Sequence, residues 1–209
     1  MATTTTLTKT IGTVVTGWAT AIAADAQAGH TAIQTVTNKL SASFEITLAR
    51  STGSAYTIGP KVRIEGLYEG SITRTSPQID AIQMAVGASI ANTTLNGAVS
   101  AGATSCVVTA GTNIAAGDIL FLGHTTTPAN YELVRVKSVV TGTTVNFEEA
   151  CVNAHDSGAQ VTDQAEIYSL GPYDLSTFAR VRVILDNVGT GQGVYFRCIM
   201  NTLDSVATA

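Results

Sequence analysis

Hydrophobic and polar residues alternate with period two along much of this chain, most clearly near its C-terminus. There Ala179, Val181, Val183 and Leu185 are set against Arg180, Arg182 and Ile184. A second run sets Val194, Phe196, Cys198 and Met200 against Tyr195, Arg197 and Ile199. The connection between them is glycine-rich, and the pattern predicts a β-hairpin over Phe178 to Met200 with one buried face. A similar layout recurs earlier. Ala42, Phe44, Ile46 and Leu48 alternate with Glu45 and Thr47, and Val62, Ile64 and Tyr68 with Lys61, Arg63 and Glu65, across a stretch of turn formers from Ser51 to Pro60. Two such ribbons stacked face to face would form the centre of an antiparallel β-sandwich.

The segment between the ribbons is too long and too patterned for a loop. Short strands are expected at 104–109, 118–122, 131–140 and 143–147, with Gly111, Gly117, Gly123, Gly142 and Gly158 in or beside the breaks. The expected organisation is therefore an outer sandwich from residues 1–92 and 166–209, carrying an inserted small β-barrel or sandwich at 93–165. Such an insertion is thermodynamically easy, because loop-closure cost grows by only about 0.6 kcal/mol per doubling of length. Toward the N-terminus, Ile11 to Ala23 has the Val, Ile and Trp content of one or two strands, while Ala19 to Ala28 is equally compatible with a short helix. The threonine tract Ala2 to Thr6 reads as an arm that is free or lies on a neighbouring subunit.

Composition narrows the function. The chain has 209 residues, 45% hydrophobic and 12% charged, with a net charge of −4. No run approaches the roughly 18 apolar residues of a membrane-spanning helix. Eleven Lys and Arg residues in all give no basic patch for nucleic acid. Lys9 before a mildly apolar run resembles a signal peptide, but Thr13, Thr16, Gly17 and Thr20 interrupt that run. Three cysteines, Cys106, Cys151 and Cys198, are too few and too odd a set for a secreted disulfide framework, so they read as small buried hydrophobes.

Candidate chemistry is sparse. Gly189-Thr-Gly-Gln-Gly follows a strand, but a phosphate cradle needs a helix N-terminus next, and Val194 onward continues as a strand. Cys151 and His155 have metal-compatible spacing, which Cys106 and His124 would join only if the fold brought them close. One tight pair falls short of the two that structural zinc normally shows, so no metal or other cofactor is expected. Asp80, Asp118, Asp156, Asp163, Asp174 and Asp186 fall at turns and strand ends, where Asp serves backbone hydrogen bonds. Ser169, Ser176 and the histidines offer no nucleophile motif. Tyr131, Tyr168, Tyr173, Tyr195 and Trp18 fit packing better than a sugar-stacking platform.

A resemblance does emerge. Ala-Gly-Ala-Thr-Ser-Cys-Val-Val at 101–108, Ala-Gly-Asp-Ile-Leu-Phe-Leu at 116–122, Glu-Leu-Val-Arg-Val-Lys-Ser-Val at 132–139 and His155-Asp-Ser-Gly-Ala-Gln-Val resemble a small β module of tailed-bacteriophage virion proteins. Tyr173-Asp-Leu-Ser-Thr-Phe-Ala-Arg-Val-Arg-Val, followed by Asp186-Asn-Val-Gly-Thr-Gly, resembles the closing strands of phage head or tail accessory proteins with a jelly-roll-like body. The resemblance implies a non-enzymatic structural protein of a virion assembled in the host cytoplasm. A capsid decoration or cement protein fits first, a tail or baseplate component second; a carbohydrate-binding adhesin is a reading from another class. Implied partners are the major capsid protein or other virion proteins and further copies of the chain, in a homo-oligomer such as a trimer. Arg182, Ile184, Arg197 and Ile199, apolar groups beside arginines on the polar-reading faces, are the expected interface residues.

Overall fold

A computed structural model describes residues 5–18, 30–68, 77–85 and 90–207. The start of the threonine tract and the ambiguous 19–28 stretch lie outside the described residues. The chain is all-β, and the one helical element among the described residues is a 3-10 turn at Pro128–Asn130.

Eight strands build two four-stranded antiparallel sheets. β1 (Thr5–Thr16), β14 (Val194–Ala207), β3 (Lys39–Arg50) and β12 (Glu166–Asp174) lie side by side in one. β2 (His30–Thr35), β13 (Arg180–Asp186), β4 (Lys61–Leu67) and β5 (Gln78–Gln83) form the other. Every connection between these strands that stays within the eight passes from one sheet to the other, except the β4–β5 hairpin. That alternation, with first and last strands paired, is the strand order of a jelly roll. Its core is the set of alternating residues read from the sequence. Phe44, Ile46, Leu48, Phe196, Cys198 and Met200 come from the first sheet, and Val62, Ile64, Val181, Val183 and Leu185 from the second.

The two expected hairpins are not hairpins. β13 pairs with β2 and β4, whereas β14 pairs with β1 and β3; likewise β3 and β4 belong to opposite sheets. Residues 187–193 are an arch that crosses the core, long enough to span the roughly 10 Å between packed sheets. Period-two patterning fixes which face of a strand is buried but is blind to which strand lies beside it. The arch holds itself together: Asn187 Nδ2 donates to the Gln192 carbonyl at 2.9 Å, and Thr57 N–H donates to the Thr190 carbonyl at 3.0 Å. Gly189 and Gly191 supply positive φ angles of 72° and 71°. β14 begins directly after the arch, so its glycines lead into a strand and not into a helix N-terminus.

Between β5 and β12 runs a six-stranded antiparallel sheet in the order β6 (Asn92–Thr94), β11 (Gln160–Thr162), β8 (Ile119–Leu122), β9 (Glu132–Val140), β10 (Thr144–Phe147) and β7 (Ser105–Val107). Its edge strands meet through a Leu95–Val108 bridge, with Asn96 N–H donating to the Val107 carbonyl at 2.8 Å, so the sheet curls into a small barrel. The barrel has its own core, including Leu95, Val108, Leu120, Leu122, Val136 and Val145. Cys106 and Cys151 are buried in it as free thiols, and Cys198 is buried in the jelly roll.

Candidate functional site

Because β14 turns Val194, Phe196, Cys198 and Met200 into the sandwich, Tyr195, Arg197 and Ile199 must face outward. Tyr195 and its β3 neighbour Ala49 nonetheless lie buried, because the barrel sits on them. Phe121 of β8 stacks on Tyr195 with ring centroids 4.3 Å apart, and Tyr131 meets Phe121 edge-on at 5.2 Å. Trp18, just past β1, packs edge-on against Phe121 at 5.4 Å. Polar bonds fasten the same junction. The Tyr195 hydroxyl donates to Gln160 Oε1 at 2.9 Å, Thr162 Oγ1 donates to the Arg50 carbonyl at 2.9 Å, and Gln160 Nε2 donates to the Ser51 carbonyl. Burial pushes the Tyr131 and Tyr195 phenols up, which keeps the Tyr195 hydroxyl protonated as the donor to Gln160.

Beside this junction an open cleft of about 610 Å³ separates the outer face of the β1-β14-β3-β12 sheet from the barrel. Trp18, Glu45, Thr47 and Arg197 line one side, and Glu132 and Val152 the other. A second hollow of about 260 Å³ shares Glu132, Leu133, Val152 and Ile167 with it.

Glu132 leads from the cleft into the barrel. It opens β9, and its carboxylate accepts the N–H groups of Val152 at 2.9 Å and Asn153 at 3.1 Å. Oε1 also lies 2.7 Å from Nε2 of His155, whose side chain is wholly buried. Nδ1 of His155 lies 2.7 Å from the Gly123 carbonyl oxygen, which can only accept, so that nitrogen carries hydrogen. Cys151 completes the group, its sulfur and the Glu132 and His155 ligand atoms all lying within 4.8 Å of one another. Burial raises the Glu132 carboxyl, but the bonds from His155, Val152 and Asn153 outweigh it and hold the group below its usual range. Burial pushes the Cys151 thiol up to about 12, with the Glu132 charge adding to the effect.

Of the sequence-level metal candidates, Cys151 and His155 do converge, and Cys106 shares their core. His124 turns elsewhere, its Nδ1 accepting the N–H groups of Thr126 and Thr127. Glu132 escaped notice because a single glutamate starting an alternating strand carries no signature of its own. The aromatic candidates divide: Tyr131, Tyr195 and Trp18 meet at the junction, while Tyr168 and Tyr173 pack against the jelly-roll core, their hydroxyls donating to Glu166 and Asp80. The aspartates largely serve local bonds, as with Asp174 accepting from Ser176 N–H at 2.8 Å and Asp186 from Val188 N–H at 3.2 Å.

The four expected interface residues do not share a surface. Arg182 and Ile184 lie on the outer face of the β13 sheet, and Arg197 and Ile199 on the outer face of the β14 sheet, with the core between. Arg182 is engaged by Glu65 at 2.5 Å, and Glu65 also receives Arg63 at 3.1 Å. Ile184 retains only 6% exposure. Arg197 lines the cleft, and Ile199 is half-buried with Val14 and Glu45 as its register partners.

No family model matches the chain, and no curated protein does. Among solved structures, one of infectious bursal disease virus, Gx strain, aligns at 11% identity and a TM-score of 0.20, covering 99% of this chain and 81% of that one. A T13 particle of the same virus aligns at 11% identity and a TM-score of 0.22, covering 98% of this chain but 40% of that one. These likenesses are too distant to carry an argument. The class of the molecule rests on its own strand order: a jelly roll with a small barrel between its fifth and sixth strands.

Proposed function

We propose that this chain is a structural protein of a tailed-bacteriophage virion, and within it a decoration or cement protein of the capsid. The observation that carries the reading is the eight-stranded jelly-roll order with a barrel packed on one outer face, a body built for surfaces. The low charge supports it, since a face of Thr, Ser, Ala and Gly repels neighbours weakly and packs flat. The mechanism is interface burial: a standard contact of about 1,600 Å², repeated by symmetry, gives avidity without chemistry. The major capsid protein is the partner, and a homo-oligomer is the functional form.

Copy number in purified particles tests the assignment. Hundreds per particle is the expected result; a handful would move the protein to the tail or baseplate. A monomeric mass by light scattering, together with no binding to assembled particles, would overturn the virion reading. One observation favours a second reading, a carbohydrate-binding adhesin: the cleft offers Trp18 beside Glu45 and Arg197, a mixture of ring and charge suited to sugar hydroxyls. Glycan-array binding lost on Trp18→Ala would establish it.

A further inference from the structure

The Glu132–Cys151–His155 group has a feature that packing does not require. With Nδ1–H held on the Gly123 carbonyl, Nε2 of His155 faces Glu132 Oε1 at 2.7 Å, where the two share a proton in a hydrogen bond. The Cys151 thiol bonds to the same Glu132 carboxylate, so all three side chains converge on one point. A metal ion uses all three donors. A histidine that gives one ring N–H to a backbone carbonyl and aims the other nitrogen into a donor cluster is the arrangement that orients metal ligands.

We propose that Glu132, Cys151 and His155 form a binding site for a divalent cation of the zinc class. Thiolate sulfur, imidazole nitrogen and carboxylate oxygen are the three zinc donor types, and sulfur disfavours the hard cations calcium and magnesium. The donors come from the start of β9 and the loop after β10, so the ion ties β9 to that loop. Tetrahedral coordination with Zn–N and Zn–O bonds near 2.0–2.1 Å separates nitrogen and oxygen by about 3.3 Å, slightly more than the present hydrogen bond. Glu132 can supply that movement, because it borders both hollows and its side chain retains 11% exposure. The same border gives the ion a path in and leaves the fourth position to water. Binding releases the Cys151 thiol proton and the proton shared by His155 Nε2 and Glu132 to solvent, as the sulfur–metal and nitrogen–metal bonds form.

The full-length chain is stripped with chelator, dialysed against ZnCl₂ and assayed for bound metal and melting temperature. One zinc per chain and a higher Tm than in chelator are expected. Cobalt in place of zinc should give a thiolate-to-metal charge-transfer band in the near ultraviolet. Cys151→Ser should abolish the band, and His155→Gln should weaken binding by about 100-fold or more. Cys198→Ala, in the other core, should leave both unchanged. A wild-type chain that retains no zinc and shows no Tm shift overturns the proposal whether or not the variants fold. Zinc held equally by Cys151→Ser and His155→Gln would reveal an adventitious ion only.

Discussion

Gly66 is the last residue but one of β4, where a strand normally gains from a side chain. A Cβ there would fall 2.2 Å from the Phe178 ring, so the glycine exists to admit that ring against the core. Gly66→Ala should destabilise by about 1–3 kcal/mol through overpacking. Phe178→Ala should cost about 3 kcal/mol through the void it leaves. Combined, they should cost clearly less than their sum, since the second change relieves the first. Urea denaturation of the three variants reads this directly. Asp163 offers a pH test. Burial pushes its carboxyl up to about 6; the Gln164 N–H opposes that shift and neighbouring Asp118 adds to it. The unfolded value is about 3.9, so the folded state binds the proton more tightly. This contribution to stability is fully present below about pH 4 and is lost as pH rises through about 6. Asp163→Asn should remove the dependence, so that the stability difference between pH 4.5 and 7.5 changes by about 2 kcal/mol relative to the parent.

Elements were legible in the sequence to different depths. The buried faces of β3, β4, β13 and β14 followed from alternation alone, because a sandwich core takes every second residue. Their partners did not follow. Sequence neighbours joined by glycines suggest hairpins, yet the arch at 187–193 carries the chain across the core, and the pairing of β14 with β3 joins segments far apart in sequence. Backbone NOEs should accordingly link Ala49 with Tyr195 and Thr47 with Arg197, and Val183 with Ile64, with none linking β13 to β14 along a ladder. The strand β5 was missed because Gln78, Asp80 and Gln83 dilute its apolar residues. The metal group was half legible: Cys151 and His155 share a loop, but Glu132 arrives through the β9 register, which no local spacing encodes. Likewise Tyr195, read as a polar-side residue of its strand, is covered because a separate sheet lies upon it.

At the scale of the whole molecule, what matters is how the barrel is attached. Two chain crossings leave a domain free to swing, and inter-domain motion is expected unless the contact is apolar and well packed. Here Phe121, Tyr131, Tyr195 and Trp18 fill the contact, and Thr162 and Gln160 bond to the carbonyls of Arg50, which ends β3, and of Ser51 just after it. Each lobe also has a separate core, and each is expected to fold without the junction. Tyr195→Ala therefore should not unfold either lobe: Tyr195 faces away from the jelly-roll core, and Phe121 keeps Tyr131 and Trp18 as partners. It should cost about 3 kcal/mol of coupling, the usual penalty for removing a buried aromatic. The parent should then melt in a single calorimetric transition and the variant in two, and residues 90–165 expressed alone should give one of those two. If the protein acts by bridging surfaces, the loosened variant should also bind its particle more weakly, because a barrel free to swing must be ordered again at each contact. One transition retained in Tyr195→Ala, with an isolated barrel that fails to fold, would mean that the two cores are a single cooperative unit and that rigidity comes from the chain crossings themselves.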